Sequence, residues 1–214
     1  MTSCCNARGC DKLFTRRFAR RMARRYRKKG LDKTARQMVE FLESLGVEGA
    51  TVLEIGGGVG EIEIELLKRG AAHALNLELS PAYAEEADQL LREAGLEARA
   101  DRRIHDIAAS TDGIEPADVV VLHRVVCCYP DFRGLLGAAA EHARRALVFS
   151  YPRRNLVSRL FVRAENLVFR LLRREFRAFV HPPSEMLAAL GERGFRRTFA
   201  QPALVWQVAG LERE

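Results

Sequence analysis

The stretch VLEIGGGVG, residues 52–60, decides how this chain folds. It joins an apolar, β-branched segment, Thr51–Ile55, to a helical segment that begins at Glu61. Because glycine has no side chain, backbone N–H groups and the helix N-terminus can approach a ligand closely here. The spacing is G-x-G-x-G rather than the G-x-G-x-x-G of nicotinamide sites, and Glu54 precedes the loop by two residues. The stretch therefore predicts a strand, a ligand-binding loop and a helix.

Strand and helix patterns alternate along the chain on either side of this loop. Apolar residues alternate with polar ones up to Leu79, which predicts a second strand, and Ser80-Pro81 then opens a helix. A helix is expected over Asp131–Arg145, and further strands are expected at Glu97–Ile104, Asp118–His123, Ala146–Ser150, Phe195–Ala200 and Ala203–Leu211. This order predicts an α/β fold: a doubly wound, mostly parallel seven-stranded sheet with helices on both faces and a C-terminal antiparallel hairpin.

Composition restricts the class of protein. The 214 residues are 48% hydrophobic and 29% charged, which is typical of one globular domain and excludes disordered, collagen-like and disulfide-scaffold chains. The longest apolar run, Val119–Leu122, is far shorter than the roughly 18 residues of a membrane span. The first thirty residues contain no signal-peptide apolar core, so a cytoplasmic location is expected.

Two short segments carry the whole excess of positive over negative charge. The chain has a formal charge of +7, but Arg16–Lys29 holds nine basic residues and no acid, and Arg153–Arg177 holds eight arginines and two acids. Removing these surpluses of nine and six charges leaves a body of −8. Each segment also has an apolar stripe at helical spacing, in the first case at Phe14, Phe18, Met22 and Tyr26. Both are predicted to be basic amphipathic helices.

Two acidic residues after the glycine loop lie at, or just beyond, the ends of predicted strands. Glu78 lies 18 residues after Gly60 at the end of the second predicted strand, where it can bind a ribose diol, and Asp106 follows the third strand. With these residues and the loop, the chain resembles the class I S-adenosylmethionine-dependent methyltransferases over Val47 to Tyr151. The resemblance implies that S-adenosylmethionine is the cofactor and S-adenosylhomocysteine the product.

The resemblance also implies which residues hold that cofactor. The loop glycines would pack against its methionine and ribose portions, Glu78 would hold the ribose hydroxyls and Asp106 the adenine amine. Glu54 would act near the methionine ammonium. The full predicted set is Tyr26, Glu54, Gly56, Gly57, Gly58, Gly60, Glu78, Leu79, Asp106, Ile107 and His123. Residues 47–214 would form the methyltransferase domain, with residues 153–180 as a basic lid helix, and residues 1–46 a cysteine-containing tail and a basic helical arm.

The acceptor is expected to be a small molecule methylated at oxygen. Polar residues cluster after the fourth strand, and two of them, His123 and Tyr129, are candidates for positioning or deprotonating the acceptor. His181, just before Pro182-Pro183, is a further candidate base. CCYP at residues 127–130 stands where amino-methylating nucleic-acid enzymes carry D/N-P-P-Y. The two basic helices favour an anionic, partly apolar substrate, as in the carboxylate-methylating magnesium-protoporphyrin enzymes.

Several alternatives stay open at this point. The basic helices could dock RNA or a protein, or lie on an anionic membrane. The cysteines could support thiol or metalloid methylation, although their vicinal spacing matches no zinc pattern and no metal site is predicted; they are Cys4, Cys5, Cys10, Cys127 and Cys128. A non-catalytic cofactor-binding protein is the remaining alternative, and the oligomeric state is undetermined.

Overall fold

Seven strands form a single sheet in the computed structural model, which describes residues 13–174, 176–201 and 205–214. The strands are β1 Thr51–Ile55, β2 His73–Glu78, β3 Ala100–Ile104, β4 Ala117–Leu122, β5 Ala143–Pro152, β6 Phe195–Gln201 and β7 Trp206–Arg213. They lie in the order β3-β2-β1-β4-β5-β7-β6. Strand β7 is antiparallel to β5 and β6, and the other neighbouring pairs are parallel. The predicted doubly wound, mostly parallel sheet with a C-terminal hairpin is confirmed.

Seven α-helices surround the sheet in the described part of the chain. They are α1 Arg16–Lys29, α2 Lys33–Ser44, α3 Glu61–Lys68, α4 Ala84–Ala94, α5 Phe132–Glu141, α6 Leu156–Leu171 and α7 Pro183–Gly191. Helices α1 to α4 pack on one face of the sheet, while α5 and α7 pack on the other. Successive residues of β4 separate the two cores, because Val119 and Val121 join the first and Val120 and Leu122 the second.

The boundary between α5 and β5 differs from the prediction. The helix ends at Glu141, and the strand runs from Ala143 to Pro152 rather than from Ala146 to Ser150. Ala143 pairs with Ala117 of β4, and Pro152 pairs with Trp206 of β7. Pairing with strands on both sides therefore outweighs the helical preference of the sequence after Glu141.

The two basic helices pack very differently. Helix α1 buries Ala19, Ala23 and Tyr26 in the first core. Helix α6 buries only Ser158 and Phe169, and most of its apolar side chains are exposed. An aromatic contact connects the segments beside the two helices. The ring of Phe176, which follows α6, lies 5.8 Å from the ring of Phe14, which precedes α1.

Candidate functional site

A cavity of about 390 Å³ lies at the carboxyl ends of β1, β2 and β4. Its floor is the glycine loop and its sides are the residues that follow β2 and β4. Helix α1 and the segment before it form the remaining wall, through Phe14, Phe18, Arg21, Met22 and Arg25. Open parallel sheets bind ligands at this edge, because the strand ends and the loops after them converge there.

The glycine loop brings bare backbone to the cavity. Gly56 and Gly58 have φ of +66° and +57°, a left-handed conformation that strains other residues. A Cβ on Gly56 would come within 2.5 Å of a methyl group of Val125. Gly57 also lines the cavity, whereas Gly60 does not and instead caps the N-terminus of α3.

Glu78 is fixed at the end of β2 with its carboxylate at the cavity wall. Its Oε2 accepts the Gly58 N–H at 2.9 Å, and its Oε1 accepts the N–H groups of Leu79 at 2.7 Å and Ser80 at 2.9 Å. A carboxylate has about four acceptor positions, so this one retains capacity for a ligand hydroxyl. The backbone thus presents a preoriented acceptor beside the loop.

Asp106 forms the next part of the wall. Its Oδ1 accepts the Ala108 N–H at 3.1 Å, and the Tyr129 hydroxyl lies 3.2 Å from its Oδ2. Leu79 and Ile107 line the cavity on either side of this pair. The combination offers one oriented acid between apolar surfaces, which suits a flat heterocycle with an exocyclic amine.

A carboxylate that sequence reasoning missed lies at the opposite side of the cavity. Asp32 caps helix α2 by accepting the Ala35 N–H at 2.9 Å, and its Oδ2 lies 2.7 Å from Arg124 and 3.7 Å from Arg25. Burial raises the pKa of Asp32, but His123, the Ala35 N–H and Arg124 together hold that pKa well below its usual range. The sequence signal was only an N-cap aspartate, which most helices can carry without any other role.

His123 places a largely buried imidazole at the cavity, with its side chain 12% exposed. Its Nδ1 lies 3.1 Å from the Ser150 hydroxyl, and its Nε2 lies 3.8 Å from Asp32 Oδ2. Burial lowers the pKa of His123 below its ordinary value of 6.5, against the opposing effect of Asp32. At neutral pH the ring is therefore uncharged, and a proton gained at Nε2 would be stabilised by the nearby carboxylate.

Charged side chains of both signs lie in the cavity beside this pair. Arg21 and Arg25 reach it from α1, and Glu61 reaches it from the first turn of α3. Burial raises the pKa of Glu61 to about 6, with Arg25 opposing the shift. The periodicity of α1 indicated an apolar stripe but did not indicate which arginines would turn toward a ligand.

Glu54 lines the cavity, as Gly56 and Gly57 do, and also belongs to a buried polar cluster with Glu63. Its Oε2 accepts the Glu63 N–H at 2.9 Å, and burial together with the charge of Glu63 raises the pKa of Glu54. Burial raises the pKa of Glu63 to about 7, with Arg102 opposing the shift. Arg102 donates to the Gly58 carbonyl at 2.6 Å, so this cluster supports the loop from below.

Two predicted site residues lie elsewhere. Tyr26 is buried between helices, where its hydroxyl donates to Glu65 at 2.6 Å, and it does not line the cavity. His181 contacts the Tyr129 carbonyl through Nε2 at 2.9 Å and stacks on Phe179, also outside the cavity. Neither side chain lines the cavity, so the cofactor role of Tyr26 and the catalytic role of His181 stay predictions that the cavity lining does not support.

The two basic helices differ in their contact with the cavity. Arm helix α1 supplies a wall of the cavity, whereas no described residue of 153–180 lines it. Phe176 contacts Phe14, so α6 reaches the cavity wall only through an intervening ring. The lid role of this segment stays a prediction that the described cavity lining does not support.

Of the five cysteines, Cys127 and Cys128 are described, and their sulfur atoms lie 3.6 Å apart. Cys128 lines the cavity, while Cys4, Cys5 and Cys10 lie outside the described residues. Among the described residues there is no group of three or more His, Cys, Asp or Glu side chains arranged to hold a metal ion. No helix in the described ranges has the length and apolar character needed to cross a membrane.

Comparison with known proteins gives one family and many similar folds. A family model described as a methyltransferase domain matches residues 18–198. A 52-residue segment is 38% identical to ribosomal protein L11 methyltransferase of Photorhabdus laumondii, and this match covers 24% of the chain but only 18% of that protein's length.

Two solved structures illustrate the shared fold. Magnesium protoporphyrin IX methyltransferase of Synechocystis, with bound S-adenosylhomocysteine, has a TM-score of 0.70 at 20% identity, over 85% of this chain and 83% of that one. An O-methyltransferase family 2 protein of Planctomyces limnophilus, in complex with apigenin, has a TM-score of 0.68 at 16% identity, over 92% of this chain and 62% of that one. At these identities the similarity establishes the fold alone.

Proposed function

The chain belongs to the methyltransferase domain family, and from that premise we propose that it transfers the methyl group of S-adenosylmethionine to an oxygen atom of a small-molecule acceptor. The observation that carries the proposal is the layout of one cavity. Two strand-end carboxylates stand beside a glycine loop, and a buried imidazole paired with a carboxylate stands opposite. The cofactor, when bound, supplies an electrophilic methyl group on a sulfonium.

The cavity walls fit this cofactor. Gly56 and Gly58 leave backbone surface that any side chain would occupy. Glu78, with acceptor capacity remaining, would hold the ribose hydroxyls, and Asp106 would accept the adenine amine between Leu79 and Ile107. These are the roles that the family resemblance implies for the same positions.

The charges near α1 fit the amino-acid end of the cofactor. Glu61 is a buried carboxylate facing the cavity and would pair with the ammonium group. Arg21 and Arg25 would pair with the carboxylate, which an isolated apolar wall could not bind. Glu54 also lines the cavity, and its carboxylate, which accepts the Glu63 N–H at Oε2, would act near the ammonium group directly or through water.

The acceptor would lie against His123. A hydroxyl held in line with the transferred methyl must lose its proton, and a neutral imidazole at Nε2 can take it. Asp32 would stabilise the resulting imidazolium at 3.8 Å, and Tyr129 would orient the acceptor from the Asp106 side. Phe14, Phe18 and Arg124 on the remaining walls favour an acceptor that is partly apolar and anionic.

The test compares acceptors that share one apolar frame and differ only in the reacting group. Labelled S-adenosylmethionine is supplied with naphthol, naphthoic acid, naphthylamine or naphthalenethiol, within a wider metabolite panel. We expect label in the hydroxyl compound, because the imidazole can take the proton that this group must lose, or in the carboxyl compound, which is already ionised at neutral pH. Transfer to the amine and thiol should be at least roughly tenfold slower. Preferential labelling of the thiol or amine, or labelling of RNA or protein only, would overturn the proposal.

A further inference from the structure

The outward side of helix α6 is an apolar surface with no intramolecular partner in the described structure. We call it the α6 outer face, and its large side chains are between 49% and 73% exposed: Leu156, Val157, Leu160, Phe161, Leu167, Val168, Leu171 and Leu172. Soluble monomers rarely expose contiguous apolar patches of this kind unless the patch contacts something. The sequence pattern alone favoured the opposite arrangement, in which this stripe would face the core.

The helix is anchored so that this face must point outward. Ser158 and Phe169 are its buried residues, and the Phe169 ring packs on Phe176 at 5.4 Å. The Asn166 side chain also donates to the Ala178 carbonyl and accepts the Ala178 N–H, both at 2.8 Å. At about 100° per residue, the outer face covers roughly 160° of circumference on the side away from Ser158 and Phe169.

Arginines border this face and remain without ionic partners. Arg159, Arg163 and Arg170 are exposed along one edge of the outer face. None of the eight arginines in Arg153–Arg177 forms an ion pair with another described residue, and Glu165 is the one acid described in that range. By contrast, Arg20, Arg25 and Arg27 of α1 are paired with carboxylates.

The two basic helices meet at one end of this surface. Phe14 contacts Phe176, which places the exposed Arg16 and Arg17 at the same end of the molecule as Arg173. The Phe14–Phe176 contact thus connects the segment after α6 to the residues just before α1. The rest of the chain is acidic, so this side of the molecule is polarised relative to the body.

We propose that the α6 outer face docks on an anionic phospholipid bilayer, with the apolar side chains among the acyl chains and the arginines at the headgroups. An exposed apolar arc bordered by arginines is the pattern of an interfacial helix, because long cationic side chains can reach the headgroup level while the helix lies in the surface. Nucleic acid would pair the arginines but leave the apolar arc in water. A second copy would cover the arc but bring unpaired arginines of like charge together. The proposal does not depend on which atom the enzyme methylates.

The test is sedimentation of the full chain with vesicles of neutral phosphatidylcholine or of phosphatidylcholine mixed with phosphatidylglycerol. We expect binding to the anionic vesicles and little to the neutral ones, with weakening at high salt because exposed charges are screened. Equal binding to both compositions, or binding to neither, would overturn the proposal.

Two variants test whether the arginines beside the α6 outer face, rather than net charge, drive binding. Replacing Arg159, Arg163 and Arg170 with Gln should lower the anionic-vesicle partition coefficient by roughly tenfold or more, since each cation near such a surface contributes measurably. A charge-matched control replaces Arg92, Arg144 and Arg197, which are exposed away from α6, and should bind as the parent does. Equal losses in the two variants would mean that net charge, rather than this face, drives binding.

Insertion is read by fluorescence. The parent chain has one tryptophan, Trp206, whose ring lies 4.9 Å from the guanidinium of Arg124. Phe161→Trp adds a second tryptophan, on the outer face, as the reporter of insertion. Brominated lipid should quench the variant and leave the parent nearly unchanged. Sedimentation velocity without lipid provides the other arm: self-association that is abolished by Phe161→Ser, with no quenching of the tryptophan variant, would assign the face to a second copy instead.

Discussion

Helices α1 and α6 are both amphipathic and both carry arginines, yet they lie in opposite environments. Helix α1 has nine basic residues and a short apolar stripe, whereas α6 has a long apolar stripe and three arginines. Helix α1 turns its stripe toward the sheet and the cavity, and its arginines find carboxylates on α2 and α4. Helix α6 turns its stripe to the solvent and leaves its arginines unpaired within the described chain. The difference shows that amphipathic pattern fixes which residues share a face, while the neighbours decide what that face contacts.

Gly58→Leu is the sharpest test of whether α1 forms part of a cofactor site. The nearest atoms to a Cβ at Gly58 belong to Tyr83 and to Met22 of α1, so a leucine would fill the cavity between the loop and that helix. We expect affinity for S-adenosylmethionine to fall by roughly 100-fold or more, equivalent to about 2.7 kcal/mol. Isothermal titration calorimetry measures it.

Gly95→Leu is the matched control for that variant. Gly95 has φ of +65° with open space around it, so it suffers the same backbone strain without filling the cavity. Normal cofactor affinity in the Gly58 variant would remove α1 and the glycine loop from the site. Vesicle binding through α6 should be unchanged in both variants.

His123→Gln tests whether His123 accepts the proton of the acceptor, at the part of the cavity next to Asp32. We expect kcat to fall by roughly 100-fold with little change in cofactor affinity, because only proton transfer is lost. Burial lowers the pKa of His123, so the neutral, proton-accepting ring persists below pH 6.5. The acid limb of the parent rate profile should therefore have its midpoint below pH 6.5.

His181→Gln is the control for the pH profile. Burial lowers the pKa of His181 as well, yet this ring lies outside the cavity. Its replacement should leave both kcat and the shape of the profile unchanged. A profile that breaks above pH 6.5, or that persists in the His123 variant, would assign proton transfer to another group.

The smallest expected effect compares the same substitution in the two helices. Ala23→Leu in α1 inserts volume into a fully buried position and should lower the free energy of unfolding by about 1–3 kcal/mol. Ala164→Leu in α6 adds an apolar group to an exposed face and should change it by less than about 0.5 kcal/mol. Urea denaturation gives both values, and equal destabilisation would mean that α6 packs as α1 does.

Local sequence patterns were sufficient to predict the sheet and the edge of it at which the cavity lies. The glycine loop, Glu78 and Asp106 each directly follow a predicted strand, and parallel strand ends meet at one edge, so local spacing was sufficient to bring them together. The same reasoning brought His123 and Tyr129 to that edge. Each of these residues lies within a few positions of a strand end, where the direction of the strand fixes the edge of the sheet that the residue reaches.

Contacts between residues far apart in the chain, and the directions in which helix faces point, became apparent only from the packing of the elements. Asp32 and Arg124 are 92 positions apart in the chain yet form one ion pair beside His123, a contact that no local spacing encodes. Tyr26 has helical periodicity with Phe14, Phe18 and Met22, but packing against Glu65 turns it away from the ligand. The outward direction of the α6 stripe was equally hidden, because periodicity defines a face of a helix and only the packing around it determines what that face meets.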